Sequence, residues 1–214
     1  MKRERNYYLY KLTVDDGGAP CVRNGLLSLA ICKPAIRRTA ETENIIIGFA
    51  ATRLYHDNRV IYIAQVTKKL DGRKYYSRDF ADRPDCIYLW DGRGFSRRRR
   101  AKYHTKGDLV HDLGRPPKYP SAQVLLSKKF RYFGKKGWRS FHEKYPHIGA
   151  KIRSLARGHR VINLTDDLWQ ELGKFSSQLW KHKSEYSRTP VPGVASTACL
   201  RADGGSIECH RMRQ

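Results

Sequence analysis

The chain has 214 residues, enough for one domain or two small ones, and 40% of them are hydrophobic, which favours a packed core. Lysine and arginine number 43 against 20 acidic residues, a formal net charge of +23, so a polyanion such as nucleic acid is the expected partner. The sequence contains no apolar run of membrane-spanning length and no CxxC pair typical of structural zinc. We therefore expect a cytoplasmic protein with reduced thiols and no membrane association.

Short elements are predicted in turn along the first seventy residues. Tyr7–Val14 is a β-prone run that ends at an Asp-Asp-Gly-Gly turn. A short buried helix is predicted over Gly25–Lys33, and a second helical turn over Pro34–Ala40, where proline suits a helix start. Asn44–Ala50 and Arg59–Leu70 are rich in branched residues and predict two strands.

The rest of the chain predicts a helix start near 71–80, strands at Cys86–Trp90 and Gln123–Ser127, and a helix that Thr165 caps. Residues 91–160 hold 20 basic and 4 acidic side chains. The expected fold class is mixed α+β: a small open β-barrel with inserted helices and a C-terminal helix. We expect one domain over 1–183 with a basic insertion around 91–120, and a flexible C-terminal tail over 184–214.

Several motifs together carry a family resemblance. The longest is "YKLTVDDGGAPCVRNGLLSLAICKPAIRRTA", and "IIGFA", "IYIAQVT" and "FRYFG" follow in order. This set resembles the bacterial and phage family called nucleotide modification associated domain 2. The resemblance implies a role in systems that make, sense or process modified DNA bases, in a bacterial or phage-infected cell. Other proteins of such a system are further expected partners.

A second likeness is narrower. The pair "IIIGFA" and "RVIYIAQVTKKL", followed by "YY", is similar to strands of PUA-like barrels, which include the EVE and ASCH domains. That likeness implies nucleic-acid binding around a flipped base. An ASCH-type catalytic signature is missing, so RNA cleavage is not expected.

Candidate catalytic residues are few. Asp15 and Asp16 are either turn formers or a general base, and His159 is an acid–base candidate. No cofactor and no metal site are predicted; Mg²⁺ at the two aspartates is an open alternative, with Asp85 as the one further acid considered. Cys32 is interpreted as a small core residue rather than a thiolate nucleophile.

Basic and aromatic side chains supply the predicted binding surface. Lys33 and Arg37 are four residues apart, so they project from one helical face toward phosphate. The predicted phosphate contacts are Lys33, Arg37, Arg38, Arg97, Arg98, Arg99, Arg100, Lys128, Lys129 and Arg131. Aromatic faces suit an extruded base, and the predicted base pocket comprises Tyr62, Tyr75, Tyr76, Tyr132 and Phe133.

These patterns predict a DNA-associated protein that recognises or processes a modified or extruded nucleotide. The alternative is an enzyme on DNA or nucleotides, such as a base-modifying transferase, a glycosylase or a nuclease. The sequence leaves the choice between binder and enzyme open.

Overall fold

A computed structural model describes residues 6–155, 159–161, 165–183, 199–200 and 206–207. In chain order the strands are β1 (Tyr7–Leu12), β2 (Cys21–Arg23), β3 (Leu26–Leu29), β4 (Ile45–Ala50), β5 (Val60–Gln65), β6 (Lys68–Asp71), β7 (Tyr88–Trp90), β8 (Phe95–Arg97), β9 (Gln123–Ser127), β10 (Lys129–Tyr132), β11 (His159–Val161), β12 (Cys199–Leu200) and β13 (Ser206–Ile207). The α-helices are α1 (Pro34–Thr39), α2 (Gly72–Tyr75), α3 (Leu109–Leu113), α4 (Phe141–Lys144), α5 (Pro146–Ser154) and α6 (Asp166–Lys181).

Two sheets form the centre of the fold. The first has the strand order β10-β5-β4-β1-β11, with β1 parallel to β4 and the other neighbours antiparallel. The second has the order β2-β3-β9-β6 and is antiparallel. Because β1 and β4 are parallel, the chain crosses over between them, and β2, β3 and α1 lie in that crossover.

Apolar residues on both faces of each sheet build three stacked layers of core. Ile47 and Phe49 of β4 pack with Phe175 of α6, so helices α4 to α6 cover one face of the first sheet. The opposite face packs on the second sheet. The outer face of the second sheet contacts an aromatic layer from residues 75–122, to which Tyr76 and Tyr88 belong. β3, which leads to Cys32, therefore packs on both faces, and this packing helps to fix the turn at its end.

The structure confirms the mixed α+β class, the open sheet arrangement and the C-terminal helix. Thr165 caps α6, since its hydroxyl accepts a hydrogen bond from Leu168 N at 3.3 Å. No closed barrel forms among the described strands, and the PUA-like likeness stays a prediction. No helix in the described ranges is long and apolar enough to cross a bilayer.

The predicted helix over Gly25–Lys33 is wrong. Residues 21–29 form the hairpin of β2 and β3, with Arg23 opposite Leu26. Asn24 and Gly25 between them have φ of 49° and 71°, the left-handed conformation that two-residue hairpin turns require. The predicted helix over Pro34–Ala40 is α1.

The basic stretch 91–120 is more regular than predicted, because it contains β8, a short 3-10 helix (Lys106–Asp108) and α3. The expected tail over 184–214 lies outside the described residues, apart from β12 and β13.

Candidate active site around Cys32

Cys32 lies on a strained turn between β3 and α1. Its φ is 56° and that of Lys33 is 45°, a region that residues with a Cβ seldom enter. Two contacts hold the turn: Cys32 N donates to Asp112 Oδ1 at 2.9 Å, and Cys32 O accepts from Arg37 Nε at 2.7 Å. Strain of this kind persists only where surrounding contacts enforce it, and it is concentrated at functional sites.

The Cys32 sulfur, the His104 ring and the Asp112 carboxylate lie in a line. Cys32 Sγ is 3.2 Å from His104 Nε2, and His104 Nδ1 is 2.6 Å from Asp112 Oδ2. The sulfur and the carboxylate use opposite edges of the imidazole, so the three groups cannot share one metal ion. The order nucleophile, base and orienting carboxylate is the arrangement that activates a thiol.

Charge inside this line favours a protonated His104 and an ionised Asp112. The His104 side chain is only 4% exposed, and burial alone would lower its pKa. The negative charges of Cys32 and Asp112 outweigh burial and raise the pKa of His104 to about 12. Burial alone would raise the pKa of Asp112, but His104, Arg37 and the Tyr88 hydroxyl lower it below its usual value. The protonated imidazole is thus favoured, and an imidazolium 3.2 Å from a sulfur stabilises the thiolate form of that sulfur.

A buried arginine holds the framework of the line. Arg37 is fully buried and donates to four backbone carbonyls, those of Cys32, Asp112, Ser121 and Gln123, at 2.5 to 2.8 Å. It thereby joins the turn that carries Cys32 to the helix that carries Asp112. Its guanidinium lies 4.0 Å from Asp112 Oδ1, which places a counter-charge beside the buried acid.

A second polar cluster lies on the face of the first sheet that packs on the second sheet. Tyr10, Gly48, Tyr62 and Tyr132 are paired in register across four adjacent strands. A Cβ on Gly48 would overlap the Tyr62 ring, so glycine there lets the ring lean toward Tyr10, and the two hydroxyls meet at 3.0 Å. Tyr132 donates a short hydrogen bond to Asp15 Oδ1.

Asp15 is 6% exposed, and its pKa is raised to about 6. Burial is the largest cause; the hydrogen bond from Tyr132 opposes it, and the charge of Asp16 adds to it. A carboxyl group with a pKa in this range exchanges its proton near neutral pH.

The two clusters adjoin. The Tyr10 hydroxyl interacts electrostatically with both Cys32 and Asp15, and the Lys33 ammonium lies 5.0 Å from the centre of the Tyr10 ring. From the other side, Tyr103, the neighbour of His104, donates its hydroxyl to Asp16 O at 2.9 Å. The acidic turn and the cysteine turn therefore meet at one place in the fold.

Comparison with known proteins gives one match. The family model for nucleotide modification associated domain 2 matches residues 4–190, which is most of the chain. The chain belongs to this family. No curated protein and no solved structure matches it. The name of this nucleotide modification associated domain indicates a role in nucleotide-modification systems, and the chemistry has to be inferred from the site.

The predicted phosphate contacts of this domain lie in different environments. Lys33 is partly buried beside Cys32, Arg38 is exposed, and Arg37 is committed to the four carbonyls. Lys128 and Lys129 are exposed and Arg131 is partly exposed. All three are far from Cys32 in the sequence. Their phosphate contacts stay predictions.

The arginine loop, defined as Arg97 to Arg100, divides into two pairs. Arg97 donates to the carbonyls of Ala101 and Tyr103 at 2.7 and 3.0 Å, which fixes the segment before His104. Arg98 donates to the carbonyls of Tyr88 and Ser77. Arg99 and Arg100 are exposed to solvent.

The predicted base-pocket residues of the domain do not share one surface. Tyr62 and Tyr132 belong to the polar cluster with Tyr10, on the face of the first sheet that packs on the second sheet. Phe133 packs on the other face of the first sheet. Tyr75 and Tyr76 lie in the outer aromatic layer. All five are buried, and their contact with a base stays a prediction.

Asp85, considered as a further acid for Mg²⁺, and His159, an acid–base candidate, are not part of the line of Cys32, His104 and Asp112. Asp85 is fully buried and accepts hydrogen bonds from Ser28 and Tyr75, so it ties the second sheet to the aromatic layer. His159 begins β11, and its side chain lies outside the described residues.

Sequence reasoning missed the line of Cys32, His104 and Asp112. Cys32 was interpreted as a core residue, and His104 is 72 residues further along the chain. A usable signal was present, because a cysteine nucleophile is expected to have its histidine near in space but distant in sequence.

Proposed function

We propose that this chain is a thiol enzyme that processes a modified or extruded nucleotide in a nucleotide-modification system. Cys32 is the nucleophile, His104 the acid–base group, and Asp112 the carboxylate that orients the imidazole. The observation that carries the proposal is the line in which Cys32 Sγ lies 3.2 Å from His104 Nε2 and Asp112 Oδ2 lies 2.6 Å from His104 Nδ1.

The line supports covalent catalysis. The Cys32 thiolate attacks an electrophilic carbon of the substrate, and the His104 imidazolium donates a proton to the group that leaves. Asp112 keeps the imidazole in the tautomer and orientation that this transfer needs. The buried partners of Asp112 hold it ionised throughout.

Charge near the line supports nucleic acid as the carrier of the substrate. Arg99 and Arg100 are exposed and precede His104 by five and four residues. Even fully extended, five residues span at most about 18 Å, so a phosphate held by these arginines stays close to Cys32. Exposed arginines with no base-reading geometry suit contacts to the phosphate backbone.

Alkylation by iodoacetamide tests the thiolate. At about pH 6 an ordinary cysteine is mostly protonated, so a paired Cys32 should react about 10-fold faster than a free thiol. His104→Gln should remove that advantage at about pH 6 and restore it at high pH, where any thiol ionises. Peptide mass spectrometry locates the adduct, and Cys86→Ser, which changes a buried cysteine elsewhere, is the matched control. Equal reactivity of Cys32 and a free thiol at this pH would refute the thiolate assignment.

Incubation with canonical and hypermodified phage DNA, followed by nucleoside analysis, tests the reaction. The wild-type protein should change a nucleoside, and Cys32→Ser should not. Selective DNA binding without any changed nucleoside, in wild type and variant alike, would favour the alternative, a module that only recognises the modified nucleotide.

A further inference from the structure

We propose that the carbon attacked by Cys32 is an acyl carbon, and that Lys33 stabilises the negative charge that forms on its carbonyl oxygen. The inference rests on the proposed function, because it takes Cys32 as the nucleophile. It names the substrate class, an ester, thioester or activated amide, and one further catalytic residue.

The backbone of Cys32 creates the need for another positive group. Thiol and serine enzymes of acyl transfer use backbone N–H groups, often including that of the nucleophile, to bind the developing oxyanion. In this chain the Cys32 N–H already donates to Asp112 Oδ1 at 2.9 Å. Any charge on a substrate oxygen beside the sulfur must therefore be met by a different donor.

Lys33 is the cation next to Cys32 in the chain and is the candidate for this donor. It follows the nucleophile directly and shares its left-handed backbone, with φ of 45°. Its ammonium lies 5.0 Å from the centre of the Tyr10 ring, and the hydroxyl of that same tyrosine interacts electrostatically with Cys32. The ammonium and the sulfur thus lie around one buried side chain.

The ammonium is also not committed to an acid. The nearest acids along the chain are engaged elsewhere: Glu41 pairs with Lys69 at 2.5 Å, and Glu43 accepts a hydrogen bond from Gln65. Within the described ranges no carboxylate pairs with Lys33. A partly buried cation that no described carboxylate neutralises is available for a negative charge that exists only during the reaction.

The chemical step balances with the groups present. The Cys32 sulfur forms a bond to the acyl carbon, and the carbonyl π pair moves to oxygen beside Lys33. The pair returns, the bond to the leaving group breaks, and His104 Nε2 gives that group its proton. Water or an amine then attacks the thioester while neutral His104 takes its proton, the C–S bond breaks, and the thiolate and imidazolium are restored.

Two probes of Cys32 separate oxyanion stabilisation from other effects. p-Nitrophenyl acetate acylates a thiolate through a tetrahedral oxyanion, whereas iodoacetamide alkylates it by direct displacement without one. Lys33→Met should slow acylation by about 100-fold, the cost of losing one oxyanion donor, and should slow alkylation far less. Lys33→Arg should restore part of the acylation rate, and Lys68→Met, which removes an exposed ammonium on β6, is the matched control.

Each outcome has one meaning. A selective loss of acylation in Lys33→Met, with nitrophenolate release and a Cys32 acetyl adduct in wild type, supports the inference. An equal loss with both probes means that Lys33 only stabilises the thiolate, and it overturns the inference while the thiol enzyme stands. A wild-type protein that is alkylated but never acylated overturns the acyl class. If Cys32 is inert to both probes, the proposed function itself fails.

Discussion

The Asp15 carboxyl group is buried, and burial disfavours its ionised form. Its pKa of about 6 in the folded state exceeds the ordinary value of 3.8. Between these values the folded state retains a proton that the unfolded state has released, so the free energy of unfolding falls as the pH rises. Above about pH 6 the ionised Asp15 therefore destabilises the fold by about 3 kcal/mol.

Asp15→Asn should remove that penalty, because the amide oxygen still accepts from Tyr132 but carries no charge. We expect the variant to gain about 3 kcal/mol in urea unfolding at about pH 8 and almost nothing at about pH 2.5, where Asp15 is protonated in both states. Asp16→Asn is the control; it removes only the neighbouring charge, so its gain should be smaller. A loss of stability at about pH 8 in Asp15→Asn would contradict a buried, penalised carboxylate.

The sequence could predict which residue types carry the site but not which of them point inward. Asp15, Lys33 and Arg37 were all selected from their chemistry and spacing, and all three lie near Cys32. Helical spacing suggested that Lys33 and Arg37 face one way. The left-handed turn at Lys33 removes it from the helix. The Lys33 side chain is therefore only partly buried, whereas that of Arg37 is fully buried. Periodicity carries no information about such a turn.

At the scale of elements, α1 matters because Arg37 joins it to three other segments. Arg37→Met would leave four buried carbonyls without donors and Asp112 without its second counter-charge. Breaking such a buried pair costs about 3–5 kcal/mol. Arg37→Lys should recover little of it, because an ammonium cannot reach carbonyls in a planar fork.

Urea unfolding at neutral pH measures this loss, with Arg38→Gln as the neighbouring control. Arg38 is exposed, so its replacement should change the free energy of unfolding by less than about 0.5 kcal/mol. Comparable losses in the Arg37 and Arg38 variants would show that the carbonyl network contributes little.

Element prediction succeeded where local pattern decides and failed where pairing decides. The branched runs at Ile45–Ala50 and Gln123–Ser127 are strands with almost the predicted bounds. The apolar run at Leu26–Leu29 suits a helix or a buried strand equally, and only the Asn24-Gly25 turn, a hairpin signal that was overlooked, distinguishes them. Cys32 lies in the crossover between β1 and β4 and His104 lies between β8 and the 3-10 helix, and no local pattern encodes the meeting of two such distant segments.

At the scale of the whole molecule, the arginine loop combines exposed positive charge with contacts that position the segment before His104. The formal net charge of +23 predicts that DNA binding weakens steeply with salt, because bound phosphates release counterions. The loop also precedes His104, and its four arginines face different tasks: Arg97 and Arg98 hold carbonyls within the fold, while Arg99 and Arg100 face solvent. We therefore do not expect that replacing each of the four arginines weakens DNA binding equally.

Paired replacements separate these tasks. Arg99→Ser with Arg100→Ser should lower the slope of log affinity against log salt for duplex DNA by about two, one for each lost phosphate contact, without lowering the melting temperature. Arg97→Ser with Arg98→Ser should instead loosen the segment that positions His104, and so slow the alkylation of Cys32 at about pH 6. Fluorescence anisotropy across a salt series and iodoacetamide kinetics measure the two effects. If the exposed pair left the salt slope unchanged, the loop would not contact phosphate, and the route by which nucleic acid reaches Cys32 would have to lie on another surface.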